Sequence, residues 1–303
     1  NLTTELEIFG MSNDTNVDGD FLLKHHEQAT SQHTDVQITS RSILWPTNSS
    51  SAVLLGTGAP YVFFSGADDT AFSISMWIKP IAHNTDATQQ LFAKGNFPSS
   101  ARREYELAID TSKKFKFILW DESTNGYIGQ LADSANADSF LNAWHNIVAT
   151  YDASEDSDGI KIYIDGSLLA TSASESGTYN GMDQSAGAYY AMIGAASVKG
   201  YVCETSLWNK ELSADEAGEI YGVGSPRTLT SHSAKANLVA WWRLGSHASD
   251  AIDGGGSSSA DNRIIDESGN AKHGVPASGF NGEGDFTGVV QQTQYRFCFL
   301  ARA

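Results

Sequence analysis

The stretch Trp144-His-Asn-Ile-Val-Ala-Thr-Tyr-Asp152, followed by Ile160-Lys-Ile-Tyr-Ile-Asp-Gly166, decides the fold. Ile160, Ile162 and Ile164 fall on one face at period two, with Lys161, Tyr163 and Asp165 on the other, which is the spacing of a half-buried strand. The intervening Ala153-Ser-Glu-Asp-Ser-Asp-Gly159 is too polar for a core and rich in turn formers. The two segments therefore read as the arms of an antiparallel hairpin.

Working outward, the chain from Ile43 to about Tyr221 alternates apolar runs with Gly, Asn, Asp and Ser turns. In Phe72-Ser-Ile-Ser-Met-Trp-Ile-Lys-Pro80, the side chains of Phe72, Ile74, Met76 and Ile78 point one way. Ser73, Ser75 and Lys79 point the other, so this strand is expected to set one face on a core and one towards solvent. Many such strands predict a sandwich or jelly roll. One short helix is predicted over Ala214–Tyr221, capped by Ser213 with Glu216 completing a capping box and Gly222 stopping it. The expected class is thus an all-β antiparallel β-sandwich with one short helix and extended terminal segments.

Residues 1–42 are polar without a sustained period and read as an extended N-terminal arm. Its histidines, His25, His26 and His33, read as solvated, since nothing local would converge them on a metal. Residues 43–225 form the sandwich. Residues 226–303 carry Leu238-Val-Ala-Trp-Trp-Arg-Leu-Gly245, a Gly/Ser-rich stretch at 253–259, Ile264-Ile-Asp-Glu-Ser-Gly-Asn-Ala-Lys-His-Gly274 and a closing aromatic segment, Tyr295–Leu300.

Several segments, in order, resemble the laminin-G-like, concanavalin A-like jelly rolls of the lectin/glucanase superfamily. The hairpin is similar to that family's "WHHIAVTYDG…VKIYVDGVLV", and Phe72–Pro80 to its "FTISFWVKP". Leu91-Phe-Ala-Lys-Gly95 resembles "LFSKG", and Tyr105–Ile109 and Phe115–Trp120 resemble the next two strands. Tyr201–Glu216 is similar to the "DEVRIYNRALSAEE" ending. The resemblance covers roughly residues 50–225 and implies a concanavalin A-like jelly roll. Leu238–Gly274 resembles a segment that normally opens such a domain, yet here it follows the helix. Either the domain is permuted and this segment closes the same sandwich, or a second copy begins; the chain left to Ala303 is too short for a second jelly roll, which favours closure. The segment could equally contact a neighbouring subunit.

The charge is 19 basic against 36 acidic residues, a net of −17. Such a chain is not expected to bind nucleic acid or an anionic membrane through its overall field. No run of about 18 apolar residues is present, so no membrane insertion is expected. Cys203 and Cys298 read as buried free thiols, with a disulfide between them as the alternative.

The resemblance includes glucanases, which carry alternating carboxylates on one strand that serve as nucleophile and acid/base. The nearest case, Glu104-Tyr-Glu-Leu-Ala-Ile-Asp110, lacks the central aspartate and reads as the solvent face of a strand. Neither a Gly-x-Ser-x-Gly elbow nor a His-Glu-x-x-His zinc motif occurs. A non-enzyme that requires no cofactor is expected. Relatives of this kind often hold calcium at loop ends, and the acidic turn offers the hard oxygens calcium prefers; Asp152, Asp156 and Asp158, with Glu155, are the candidate calcium ligands. Glycan binding needs exposed aromatics, and Trp120, Tyr127, Tyr179, Tyr189 and Tyr190 lie near strand ends.

Two functions fit. One is a structural or adhesion protein of a larger assembly, a virion above all, because a segment like Leu238–Gly274 often follows the jelly roll in phage structural proteins. Its partners would be copies of itself, other structural proteins and host-surface glycans. The other is a secreted or surface lectin-like module, with calcium as an aid. Both imply a virion or extracellular location.

Overall fold

In the hairpin, Ile147–Tyr151 pairs residue by residue with Ile160–Ile164, and His145–Tyr151 pairs on its other edge with Phe72–Ile78. The alternation read from the sequence is realised: Ile160, Ile162 and Ile164 enter the main core together with Phe72, Ile74, Met76 and Ile78. The chain is described here from a computed structural model that covers residues 40–45, 52–65, 68–96, 102–134, 137–182, 189–195, 198–251, 263–277 and 286–290. Most of the arm expected over 1–42, the Gly/Ser-rich stretch, Cys298 and Tyr295–Leu300 lie outside these residues.

Two antiparallel eight-stranded sheets face one another. The first runs Ser167–Leu168, Ile160–Ile164, His145–Tyr151, Phe72–Pro80, Gly200–Trp208, Ser40–Trp45 and Phe286–Val290, and Leu238–Trp242 also pairs with Gly200–Trp208. The second runs Thr171–Ala173, Gly126–Ala132, Phe115–Asp121, Arg103–Ile109, Gln89–Gly95, Ala191–Ala195, Val53–Gly56 and Val275–Pro276. The expected all-β sandwich is therefore the observed architecture. Between the sheets, Phe72 packs against the rings of Phe63, Tyr105, Phe117 and Tyr151, with centroids 4.2–6.1 Å away. Trp45 of the first sheet donates its Nε1 to the carbonyl of Gly194 in the second at 2.9 Å. Gly194 has φ +65°, and a Cβ there would overlap the Trp45 indole, so glycine is required on both counts.

The outer face of the first sheet departs from expectation. Ser73 and Ser75 were expected to meet solvent, yet both are fully buried. The predicted helix, Ala214–Tyr221, forms with its Ser213–Glu216 capping box and a left-handed Gly222. It covers this face and buries a second cluster that includes Val148, Tyr163, Trp208, Ala217, Ile220 and Trp241. The serines are satisfied internally: Ser73 Oγ donates to Lys210 O and accepts from Leu212 N, and Ser75 Oγ bonds Ser206 Oγ at 2.8 Å. Small hydroxyls fit a tightly covered face when each finds a partner. Among the described residues no helix is long and apolar enough to cross a membrane.

Gly200–Trp208 changes neighbour along its length. Its first half pairs with Ser40–Trp45, through Val202 and Ile43, and its second half with Leu238–Trp242, through Thr205 and Trp242. Glu204 sits at the change, in an irregularity of the ladder and with φ +47°. Its buried carboxylate accepts from Trp241 Nε1 at 2.8 Å and Arg243 Nε at 3.0 Å. The displaced segment Leu238–Trp242 thus lies in the same sheet as the hairpin.

Candidate functional site

The registers bring one set of loops to one end of the sandwich. Phe72 is opposite Tyr151, Ser73 opposite Trp208, and Trp208 opposite Leu238. The segment leading into Phe72, the acidic turn after Tyr151, Asn209 and the start of the Leu238 strand are therefore neighbours at this rim. Tyr105, near the start of its strand, packs its ring at a 50° tilt against Phe72 with centroids 4.9 Å apart, which adds the Gln89–Gly95 and Arg103–Ile109 ends from the second sheet.

At this rim lies a cleft of about 560 Å³. Pro60, Val62, Leu238 and Val239 are among its apolar lining residues. Thr70, Asn209, Asn270 and Lys272 supply the polar groups. Asp266 builds the turn that carries Asn270 and Lys272: its carboxylate accepts from Trp241 N, Ser268 N, Ser268 Oγ and Lys272 N. Asn270 Nδ2 donates to the carbonyls of Leu238 and Val239, and Trp242 Nε1 donates to Lys272 O at 2.6 Å. Asn209 exchanges bonds with Asn237, its N to Asn237 O and its Oδ1 from Asn237 Nδ2, each at 3.0 Å. Tyr105 OH holds the carbonyl of Tyr61, which fixes the turn that bears Pro60 and Val62. The cleft is thus preformed: side chains with donor and acceptor atoms stand beside apolar walls, the composition of a site for a polar organic ligand.

Beside Thr70, Asp69 is buried and receives Tyr151 OH at 2.8 Å, Tyr179 OH at 2.6 Å and Met182 N at 2.8 Å. Burial, and then the Asp69 charge, push both phenols well above their ordinary value, so they stay neutral donors. Asp121 anchors the same 176–182 segment through Asn180 N and also accepts from Ser123 N and Oγ. Burial alone would raise its pKa. The hydrogen bonds from Ser123, Asn180 and Thr124 outweigh that, and its carboxyl lies below the ordinary value of 3.8.

The residues expected to bind calcium share the turn between the hairpin strands, where the carboxylates of Asp152 and Asp156 make local bonds. Asp152 Oδ1 accepts from Ser154 N, and Asp156 Oδ1 accepts from Asp158 N, so both carboxylates fold back on their own turn. Glu155 donates its backbone N–H to Tyr151 OH. Asp158 lies in the short helical turn Ser157–Gly159. Among the described residues no group of three or more His, Cys, Asp or Glu could hold a metal.

The carboxylates compared with a glucanase strand also have other duties. Glu104 is fully buried against Lys94 at 2.7 Å, Glu106 pairs with Lys116, and Asp110 accepts from Ser112 N and Lys114 N. They do not form the solvent face expected of them, because Glu104 and Glu106 are both buried. Of the aromatics expected near a glycan, Trp120 is buried with the Arg103 guanidinium 4.7 Å from its ring. Tyr179 is tied to Asp69, Tyr127 is half-buried, Tyr189 lies under Arg102, and Tyr190 is exposed. The cleft uses none of them. Its Asn270 and Lys272 stand in a segment quoted above only for its place in the chain, and Asn209 is a lone amide after a strand; the sequence signal for a site was the unusual density of turn-forming Asp, Ser, Asn and Gly around Lys272.

No curated protein matches the sequence. Among solved structures, a Bacteroides ovatus protein assigned to carbohydrate binding superposes with a TM-score of 0.50 at 13% identity, over 80% of this chain and 58% of that one. This chain therefore spans little more than half the length of that protein. A heptameric SAP-like pentraxin from Limulus polyphemus gives 0.39 at 13% identity, over 64% of this chain and 88% of the other. The CBM40 of a Ruminococcus gnavus IT-sialidase, bound to α2,3-sialyllactose, gives 0.42 at 16% identity, over 61% and 98%. At these identities the likeness concerns the fold. A family model described as the concanavalin A-like lectin/glucanases superfamily matches residues 49–218, more than half of the sequence. With its two antiparallel sheets and its hairpin in the expected register, the chain belongs to this laminin-G family of the concanavalin A-like lectin/glucanase superfamily.

Proposed function

We propose that the chain is a non-catalytic glycan-binding module and that the rim cleft holds the sugar. The observation that carries this is the lining of the cleft: Thr70, Asn209, Asn270 and Lys272 offer hydroxyl, amide and ammonium groups beside Pro60, Val62, Leu238 and Val239. A sugar ring presents the matching surface, hydroxyls at its edge and C–H groups on its face. The role assigned to the Bacteroides ovatus protein points the same way. The binding, not hydrolytic, reading rests on the separate engagements of Glu104, Glu106 and Asp110. A glycan array with the wild type and an Asn209→Ala/Thr70→Ala variant tests it. Specific binding to a glycan class that the double variant loses, with the glycan recovered intact, supports the proposal; an array without specific binding contradicts it.

The finer reading places this module at the surface of a larger assembly, a virion or an extracellular structure, with copies of itself and other structural proteins as partners. What favours it is the order of segments, a Leu238–Gly274 stretch after the helix, which resembles phage structural proteins. The mass of the native particle that contains the chain tests this. A monomer contradicts it.

A further inference from the structure

We infer that the cleft selects oligosaccharides that carry an anionic group, a carboxylate or a sulfate, and that Lys272 recognises that group. This deepens the glycan-binding reading and rests on it. Among the described residues that line the cleft, Lys272 is the only one with a charged side chain. Its backbone is held on both sides, by Asp266 through its N–H and by Trp242 Nε1 through its carbonyl, so its position is fixed before any ligand arrives. Its ammonium makes no ion pair or hydrogen bond among the described residues. Lys94, Lys113, Lys116, Lys161 and Lys210 each pair with a carboxylate; Lys79, Lys114, Lys199 and Lys235 pair with none among the described residues but do not line the cleft.

In a chain with 36 acidic and 19 basic residues, an ammonium without a carboxylate partner at a cleft is an unmet charge. Neither Asp266 nor Asp69 forms an ion pair with it. Asp266 is occupied by four donors from its own turn and the adjoining strand, and Asp69 by two phenols and a backbone N–H. The net charge of −17 opposes an anion at long range, but at physiological salt that field is screened beyond about 8 Å. At contact, a charge-assisted bond to the ammonium outweighs it, while the Thr70 hydroxyl, Asn209 Nδ2 and Asn270 Oδ1, the halves of the two amides not used on Asn237 and on the Leu238 and Val239 carbonyls, are left for hydroxyls.

Titration calorimetry tests the inference with three probes of equal length: a neutral galactose-based oligosaccharide, its galacturonate counterpart and its sulfated counterpart. The wild type is expected to bind at least one anionic probe about tenfold or more tighter than the neutral one, with the preference shrinking as salt rises. Lys272→Gln is expected to bind all three alike, while Lys272→Arg keeps the preference and both variants keep the wild-type unfolding midpoint. Equal or tighter binding of the neutral probe, or a preference that survives in Lys272→Gln, overturns the inference and leaves the glycan-binding reading standing. Failure of all three probes overturns the inference as well; whether the wider reading falls with it is read from the array, which covers other sugars.

Discussion

A carboxylate buried under two phenols keeps its place only while both donate to it. Asp69 gathers Tyr151, Tyr179 and the Met182 N–H, and so ties the hairpin to the 176–182 segment beside the cleft. Asp69→Ala strands those donors and is expected to lower stability by about 3 kcal/mol, read as a shifted urea midpoint, with Asp69→Asn losing less. Asp121 gives a pH signature. Its folded pKa lies below its unfolded one, so its contribution is present above the ordinary carboxylate value of 3.8 and is lost as pH falls through the folded value. The stability gap between wild type and Asp121→Asn should therefore narrow below pH ~4 in urea titrations; a gap that widens on acidification would refute the assignment. Single residues with local partners were legible in the sequence, as Ser213, Glu216 and Gly222 show, because a helix cap is written within a few positions. Asp69 was not, since its partners lie 82, 110 and 113 residues away.

At the scale of elements, the period-two pattern placed Ile160–Ile164 and Phe72–Pro80 correctly because alternation reports which face is apolar. It does not report what covers the polar face, and so Ser73 and Ser75 were assigned to solvent although both are buried, Ser73 against the Lys210–Leu212 segment and Ser75 against Ser206 of the neighbouring strand. The seam at Glu204 was illegible for a related reason. A ladder irregularity depends on two partner strands, Ser40–Trp45 and Leu238–Trp242, nearly two hundred residues apart. Glu204 adopts a left-handed conformation, and the bonds from Trp241 and Arg243 offset the strain. Glu204→Ala leaves the Arg243 guanidinium without this acceptor and is expected to cost about 3 kcal/mol. In hydrogen exchange, protection should fall first along Leu238–Trp242 while the hairpin amides stay protected. Equal loss in both would mean that Glu204 does not secure this strand in particular.

For the whole molecule, the family resemblance carried the fold, whereas the cleft comes from the junction of residues far apart in sequence, Pro60, Val62 and Thr70, then Asn209, then Leu238, Val239, Asn270 and Lys272. Each is unremarkable alone, and only the register of two sheets sets them side by side. The acidic turn, the sequence's most visible concentration of charge, instead serves its own hairpin. The central claim is that this rim binds sugar without cleaving it. Its most direct test is titration calorimetry of the wild type and Asn209→Ala/Thr70→Ala with the glycan selected by the array, followed by mass analysis of the recovered ligand. The account predicts saturable one-to-one binding, at least tenfold weaker in the double variant, with the ligand intact. Unchanged binding in a folded double variant, or a cleaved ligand, would contradict it.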